Sequence, residues 1–490
     1  MSLLKWFWFC LAISLLACSV ALGQTTFGSV VGTVTDPSGG VVPGVQMTLT
    51  NLGTNGKTST TTNADGIYEF VNVQPGNYSV AAEKGGFKRF SRSPIVVQTQ
   101  QSYRINVTMQ LGSVTQSVQV TAATPLLQPQ SASLGQVIAG RSVSEMPLNG
   151  RNVFNLMSLV PSVIPQGQSQ GTPTGANPFA FNNYQINGAF GNESAIYLDG
   201  VPMNNGYLNL PAFVPTQDSI QEFKVQTDNL GPEWGRFAGG VMNLTTKSGT
   251  NQIHGEGYDY VRNKVLNSND FFSNQAGIPV GAFTQNQFGA NAGGPLYLPG
   301  VYDGRNKTFW FFSYEGFRLR QGQTFVDTVP TPAEQKGDFS GLLDATGAQV
   351  PIYNPLSVCG ELGNAPCAVG SNGQPVYTRT QFPGNAIPTA MLNPTSLRLE
   401  NLWAQPNTAG EKYTNINNFV TDMSVGGDND EYVGRVDQNV SDKQHIFGRY
   451  SRWTNLNLPI NPFGTGVCQD RCTETFTTND VVLDDTYSFT

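Results

Sequence analysis

Gly231-Pro232-Glu233-Trp234-Gly235-Arg236-Phe237-Ala238-Gly239-Gly240-Val241-Met242-Asn243-Leu244-Thr245-Thr246-Lys247-Ser248-Gly249 decides how the rest of this chain is read. Glycine and proline punctuate its first half, and both supply backbone conformations that turns require. The run Val241–Thr246 then lacks either breaker and reads as a strand that closes on Thr-Lys. Downstream, aromatic segments alternate apolar with polar residues, as half-buried strands do. The chain is therefore mainly β.

Composition agrees. Charged residues are only 12% of the 490, aromatics reach 11%, and turn-forming Gly, Asn and Ser are plentiful. A net charge of −7 without any Lys/Arg cluster excludes a nucleic-acid partner, which needs a basic footprint. Residues 1–23 read as a signal peptide, with Lys5 before the apolar run Trp6–Leu16 and small residues up to Gly23. Leu15-Leu16-Ala17-Cys18 offers a rival lipoprotein-type cleavage site. After Gln24 no apolar run reaches the roughly 18 residues of a membrane-spanning helix. Outside the leader, Cys359/Cys367 and Cys468/Cys472 form two close pairs in polar stretches without histidine. An exported chain favours two local disulfides there over a metal site.

Residues 26–112 form a first unit. Asp36-Pro37-Ser38-Gly39 is a turn by mechanism, flanked by alternating strands. Asn63-Ala64-Asp65-Gly66-Ile67-Tyr68-Glu69-Phe70 and Pro75-Gly76-Asn77-Tyr78-Ser79-Val80 place Tyr68, Phe70, Tyr78 and Val80 in a core. This pattern resembles the carboxypeptidase regulatory-like (Cna B-type, prealbumin-like) β-sandwich, a carbohydrate-binding-like fold. No tryptophan occurs in it to form a sugar platform, so a spacer is the expected role.

Residues 113–124 are a linker. Within it Val118-Gln119-Val120-Thr121-Ala122 resembles a TonB box, a peptide that adds as a strand to the energy-coupling protein. β-formers and freedom from proline suit that use; a last sandwich strand or plain linker has the same composition. Residues 125–247 resemble the plug of TonB-dependent outer-membrane receptors. The matching elements are Tyr197-Leu198-Asp199-Gly200-Val201-Pro202 and the opening stretch, through Gly231, Pro232, Gly235, Gly239, Gly240, Asn243 and Lys247. Asn229-Leu230 stands where an Arg often precedes Gly-Pro, and Trp234 replaces a common Tyr. Gly231, Gly235, Gly239 and Gly240 are expected to let the plug pack tightly on the barrel wall. A short helix is expected from Val153, with Leu156, Met157 and Val160 apolar.

Residues 250–490 read as the first part of a transmembrane β-barrel. Lys307–Phe317 is an aromatic-heavy strand of the kind found in membrane girdles. In Glu431–Asp437, Tyr432, Gly434 and Val436 share one face, while Glu431, Arg435 and Asp437 share the other. Ile446, Gly448 and Tyr450 repeat the phase. Such lipid-out, water-in alternation is what a spanning strand requires. The stretch from about Thr331 to Asp428 reads as a long extracellular loop, with Asp428–Glu431 a solvated turn opening the next strand.

Chemistry for catalysis is missing: His254 and His445 are the only histidines, and no P-loop, Rossmann or Gly-x-Ser-x-Gly motif occurs. No enzyme activity, cofactor or metal is expected. The resemblance, to Oar-like or SusC-like TonB-dependent transporters, implies a plugged barrel in the outer membrane with its N-terminal domain in the periplasm. It implies the TonB protein as partner, a surface lipoprotein in the SusC-like branch, and an oligosaccharide, peptide or siderophore as cargo. Transporters of this class have about 22 strands, so six to eight strands after Asn251 imply a fragment of a longer protein. A secreted or surface-anchored adhesion protein with a glycan-binding sandwich is the alternative.

Overall fold

The computed structural model describes residues 27–113, 117–120, 133–166, 184–206, 209–232, 234–235, 237–269, 271–275, 277, 279–464 and 472–488. The leader read over residues 1–23 lies outside them, as do Thr121, Ala122 and Cys468. No described helix is long and apolar enough to cross a membrane. The chain builds three successive β units instead.

The first is a sandwich of β1 (Gly28–Thr35), β2 (Gln46–Asn51), β3 (Lys57–Thr61), β4 (Ile67–Val73), β5 (Gly76–Glu83), β6 (Arg89–Val97), β7 (Ser102–Arg104), β8 (Val107–Thr108) and β9 (Ser117–Val120). One sheet has the order β4-β1-β7 with β8 also on β1, the other β3-β2-β5-β6-β9. Every second residue of β1 is buried, the signature of a strand with one face inward. Tyr68, Phe70, Tyr78 and Val80 are all in the core, none more than 7% exposed. Tyr68 keeps its hydroxyl satisfied there by donating to the Ile105 carbonyl at 2.7 Å. The Asp36–Gly39 turn closes as its residues dictate, with Asp36 Oδ1 accepting from Ser38 N at 2.8 Å and Gly40 N at 2.9 Å.

The second unit contains β10 (Leu134–Ile138), β11 (Val163–Pro165), β12 (Tyr184–Ile186), β13 (Ala195–Leu198), β14 (Val201–Pro202), β15 (Ile220–Asp228) and β16 (Val241–Thr246). Five of these form a mixed sheet in the order β10-β15-β16-β13-β14. The Val241–Thr246 run is its central strand, antiparallel to β15 and parallel to β13. All six of its residues are buried, which explains the unbroken run without outward polar phase. The expected short helix is a 3-10 helix, Val153–Leu159, started by Asn152 accepting from Phe154 N. Its Val153, Phe154, Leu156 and Met157 pack with Ile196, Phe223, Val225 and Leu244.

The third unit adds β17 (His254–Asn263), β18 (Phe283–Pro295), the short pair β19 (Tyr297–Leu298) and β20 (Tyr302–Asp303), and β21 (Thr308–Asp327). The short pair β22 (Ala368–Val369) and β23 (Pro375–Val376) precedes β24 (Phe419–Ser441), β25 (Gln444–Asn457) and β26 (Glu474–Tyr487). An antiparallel meander β17-β18-β21-β24-β25-β26 results. Short turns lie at one rim, including the tight Ser441–Gln444 hairpin, and long connections at the other. Alternation follows the sequence reading: Tyr432 and Val436 are 40% and 49% exposed, while Glu431, Arg435 and Asp437 are at most 5% exposed.

Strand β24 begins at Phe419, well before Asp428, so the long connection is shorter than expected and Asp428–Glu431 lies inside a strand. Cross-strand pairing accounts for this. Outward Asp430 and Asp428 accept from Arg318 at 2.7 Å and Arg320 at 2.8 Å on the facing β21. A cluster that resembles a solvated turn in isolation is thereby a ladder of ion pairs. It also marks where the outer face turns from apolar to charged. Between it and the Thr308–Gln438 end lies a belt close to the about 9–11 residues a tilted strand needs to cross a bilayer.

Candidate functional site

The second unit meets the inward face of the third through two polar clusters. One centres on Asp199. The Leu198-Asp199-Gly200-Val201 turn joins β13 to β14, and its central residues sit at φ +50° and +83°. A two-residue hairpin turn of this kind requires positive φ at both, which Asp-Gly supplies. The turn aims the carboxylate at the barrel. Asp199 accepts from Thr246 N at 2.9 Å and Thr246 Oγ1 at 2.8 Å. It also accepts from Arg435 at 3.2 Å and from Arg449 Nε at 2.7 Å. Arg435 is further held by Asp437 at 2.8 Å, and Arg449 by Asp480 at 2.9 Å. The acceptor positions of the buried carboxylate are thus used, the condition under which charge is tolerated out of water.

The other centres on Arg151, which follows Gly150 in a left-handed turn. Its guanidinium reaches Asp218 at 2.6 Å within the plug and Glu315 at 3.0 Å on the barrel strand β21. It stacks over Tyr258 at 4.3 Å and lies 5.2 Å from the Tyr260 ring centre. Glu315 accepts further from Tyr258 at 2.6 Å and Gln287 at 2.9 Å. Between the clusters, Thr216 N donates to Glu431 at 3.1 Å. Arg151, Asp218, Glu315 and Arg449 were not among the expected site residues. The signal available was rarity, since a charged side chain at the inward phase is conspicuous in so weakly charged a chain.

The expected plug residues are placed as follows. Tyr197 packs edge-on to Trp234 at 4.9 Å. A Cβ on Gly240 would come within 2.5 Å of Ile186 Cγ2, and one on Gly239 within 2.6 Å of Ser194 Oγ. These two glycines are tight against the plug's own residues, not against the barrel wall; Gly235 has open space around it. Gly231 and Pro232 sit in the connection between β15 and β16, where Gly231 O accepts from Trp234 N at 3.0 Å. Lys247 N donates to Ser219 O at 2.8 Å, and burial holds its ammonium below the ordinary lysine range.

Asn243 faces the opposite way, toward the sandwich. Its Nδ2 donates to Gln100 Oε1 at 2.8 Å. Beside it Lys224 Nζ donates to the Gln100 carbonyl at 2.8 Å, and Thr99 Oγ1 lies 2.9 Å from Thr245 Oγ1. Glu222 accepts from both the Thr99 backbone N–H and, at 2.8 Å, its hydroxyl. Burial lowers the Lys224 ammonium to about 8. Burial also raises the Glu222 carboxyl, partly offset by the Thr99 hydrogen bonds.

Of the candidate coupling segment, Val118, Gln119 and Val120 lie in β9. That strand pairs parallel to β6, with Phe90 opposite Val118 and Arg92 opposite Val120. Cys359 and Cys367 are disulfide-bonded. Cys472 is also disulfide-bonded.

Comparison with known proteins agrees with this architecture. Residues 245–490, half of the chain, match the outer membrane beta barrel domain, and residues 29–110 match the carboxypeptidase regulatory-like domain. The TonB-dependent transporter Oar of Myxococcus xanthus is 26% identical over 317 residues, which cover 62% of this chain and 27% of that one. The chain therefore spans about a quarter of that relative's length. Among solved structures, the outer membrane transporter YddB from Escherichia coli aligns at 12% identity over 69% of this chain and 42% of its own, with a TM-score of 0.32. The siderophore receptor PirA from Acinetobacter baumannii aligns at 14% identity over 72% and 44%, with a TM-score of 0.31. The chain belongs to the outer membrane β-barrel family, carries a carboxypeptidase regulatory-like domain ahead of its barrel strands, and resides in the outer membrane.

Proposed function

We propose that the chain is part of a TonB-dependent transporter that moves a large ligand through a plugged barrel, with the inner-membrane TonB complex as its energy source. One observation carries the reading: the plug is tied to the inward barrel face by Asp199 with Arg435 and Arg449, and by Arg151 with Glu315. Breaking a buried ion pair by removing one partner costs about 3–5 kcal/mol. Two such clusters make spontaneous opening rare, and an external pull is the complement of so firm a seat. Oligosaccharide, peptide and siderophore are the ligand classes that suit a barrel route. Val118–Ala122 is the segment on which the coupling protein would pull, by strand addition.

The test uses the membrane-embedded protein and the purified periplasmic domain of the coupling protein. Wild type is expected to retain that domain on an affinity column. Deletion of Val118–Ala122, or Val120→Pro, which removes a ladder donor, is expected to abolish retention. Undiminished retention by both variants would rule out this segment as the box. Soluble secretion of the protein with glycan binding by residues 26–112 would favour the adhesion reading.

A further inference from the structure

The sandwich touches two neighbours, and the contacts differ in kind. Its Gln98–Gln101 turn is pressed onto the plug sheet. There Thr99 and Asn243 are fully buried, and Glu222, Lys224 and Thr245 are 6%, 5% and 6% exposed. Two of those side chains are ionisable, and their hydrogen-bonding partners come from the sandwich turn. Pulling the turn away would strand a carboxylate and an ammonium before water could reach them. A further contact reinforces the seam, Gln221 Nε2 donating to Pro75 O at 3.2 Å.

Against the barrel rim the sandwich makes sparser and more exposed contacts. Asn251 N donates to Gly53 O at 2.9 Å, Asn55 Nδ2 to Asn306 Oδ1 at 3.0 Å, and Gln74 Nε2 lies 3.0 Å from His445 Nε2. The asparagine pair is solvent-exposed; the Gln74–His445 contact is part-buried, with His445 Nε2 3.4 Å from Asp437. Neutral exposed hydrogen bonds exchange readily with water, whereas buried bonds to charged groups do not. The rim contact is the weaker one.

From this difference we infer that sandwich and plug leave the barrel as one body, parting from it at the rim segment Gly53–Asn55 and at the Asp199 and Arg151 clusters, and not at the Thr99 seam. The inference deepens the transport reading and rests on it. It gives the sandwich a mechanical role. Because β9 is laddered onto β6, a pull on the coupling segment loads the sandwich first. The sandwich hands the load to the centre of the plug sheet through Thr99 and Gln100. The connecting chain then need not carry all of it.

Two cysteine pairs separate the alternatives. Gly53→Cys with Thr250→Cys staples sandwich to rim: a Cβ on Gly53 would sit 3.7 Å from Thr250 Cβ, near the disulfide mean. Thr99→Cys with Thr245→Cys staples sandwich to plug, where the hydroxyls are already 2.9 Å apart. The protein is reconstituted in a planar bilayer and pulled from a chemical handle at Gln119, with potassium conductance as readout. No coupling protein is involved, so failure of the retention test above and failure here are distinct. The seam staple is expected to leave the opening force and the conductance step as in wild type. The rim staple is expected to raise the force at least twofold and suppress the step until reductant is added. Reduced forms of both pairs, and wild type with reductant, serve as controls. Suppression by the seam staple, or equal behaviour of the two, overturns the inference.

Discussion

Arg449 Nε donates to Asp199 Oδ2 at 2.7 Å across 250 residues of chain, with both side chains buried. One residue belongs to a hairpin turn of the plug and the other to a barrel strand. The contact therefore reports whether the plug is seated.

Asp199→Ala is expected to unseat it. Arg435 and Arg449 would lose the counter-charge they share and keep only Asp437 and Asp480, at a cost of about 3–5 kcal/mol. Asp199→Asn, which keeps acceptor capacity, should cost less. Urea titration of the reconstituted protein, followed by potassium leak, measures both. Equal midpoints for Ala, Asn and wild type would contradict the assigned role.

Docking of the sandwich should depend on pH through two opposed groups. Glu222 has a raised pKa when docked, so its contribution is full below the undocked value and is lost as pH rises through the docked one. Lys224 is lowered to about 8 when docked, against an ordinary value near 10.4. For Lys224 the undocked form binds the extra proton between those values, so docking strengthens as pH climbs from about 8 to about 10.4. The gain is on the order of 3 kcal/mol at most. The rate of disulfide formation between Thr99→Cys and Thr245→Cys, divided by that of an exposed cysteine pair at the same pH because thiolate content itself rises with pH, reads docking. Lys224→Met should erase the alkaline rise alone, and Glu222→Gln the acidic arm alone. A flat profile in the double-cysteine protein that keeps Glu222 and Lys224 would refute both assignments.

On the outer face, Phe312→Arg should impair membrane insertion by about 2–4 kcal/mol, the cost of a cation near the bilayer midplane. Arg318→Leu should cost far less there, losing mainly its partly exposed pair with Asp430. Folding into lipid vesicles, scored by heat-modifiable migration, compares the two. Equal yields would displace the apolar belt from the height given to it.

Much of the fold was legible locally. Period-2 patterning fixed the inward phase of Glu431, Arg435 and Asp437, and turn chemistry placed Tyr68 and Phe70 in the sandwich core. The site was less legible, because its contacts join residues far apart in sequence. Nothing near Asp199 announces Arg435 or Arg449, and nothing near Arg151 announces Glu315. The start of β24 was missed for a related reason. Asp428 and Asp430 look like turn residues until their partners Arg320 and Arg318, on another strand, are known. Gly239 and Gly240 were tied to the wrong neighbour: a close approach is readable from glycine, but the atom approached is not.

Strands β21 and β24 pair without interruption up to Asp327 opposite Phe419, far beyond the Arg318–Asp430 pair that marks the end of the apolar belt. At 3.3 Å per residue, the part above Arg318 is about 30 Å long. It forms a two-stranded mast with residues 328–418 at its tip. The tip therefore stands on a level of its own, about 30 Å clear of the Arg318–Asp430 pair and far from the contacts that seat the plug.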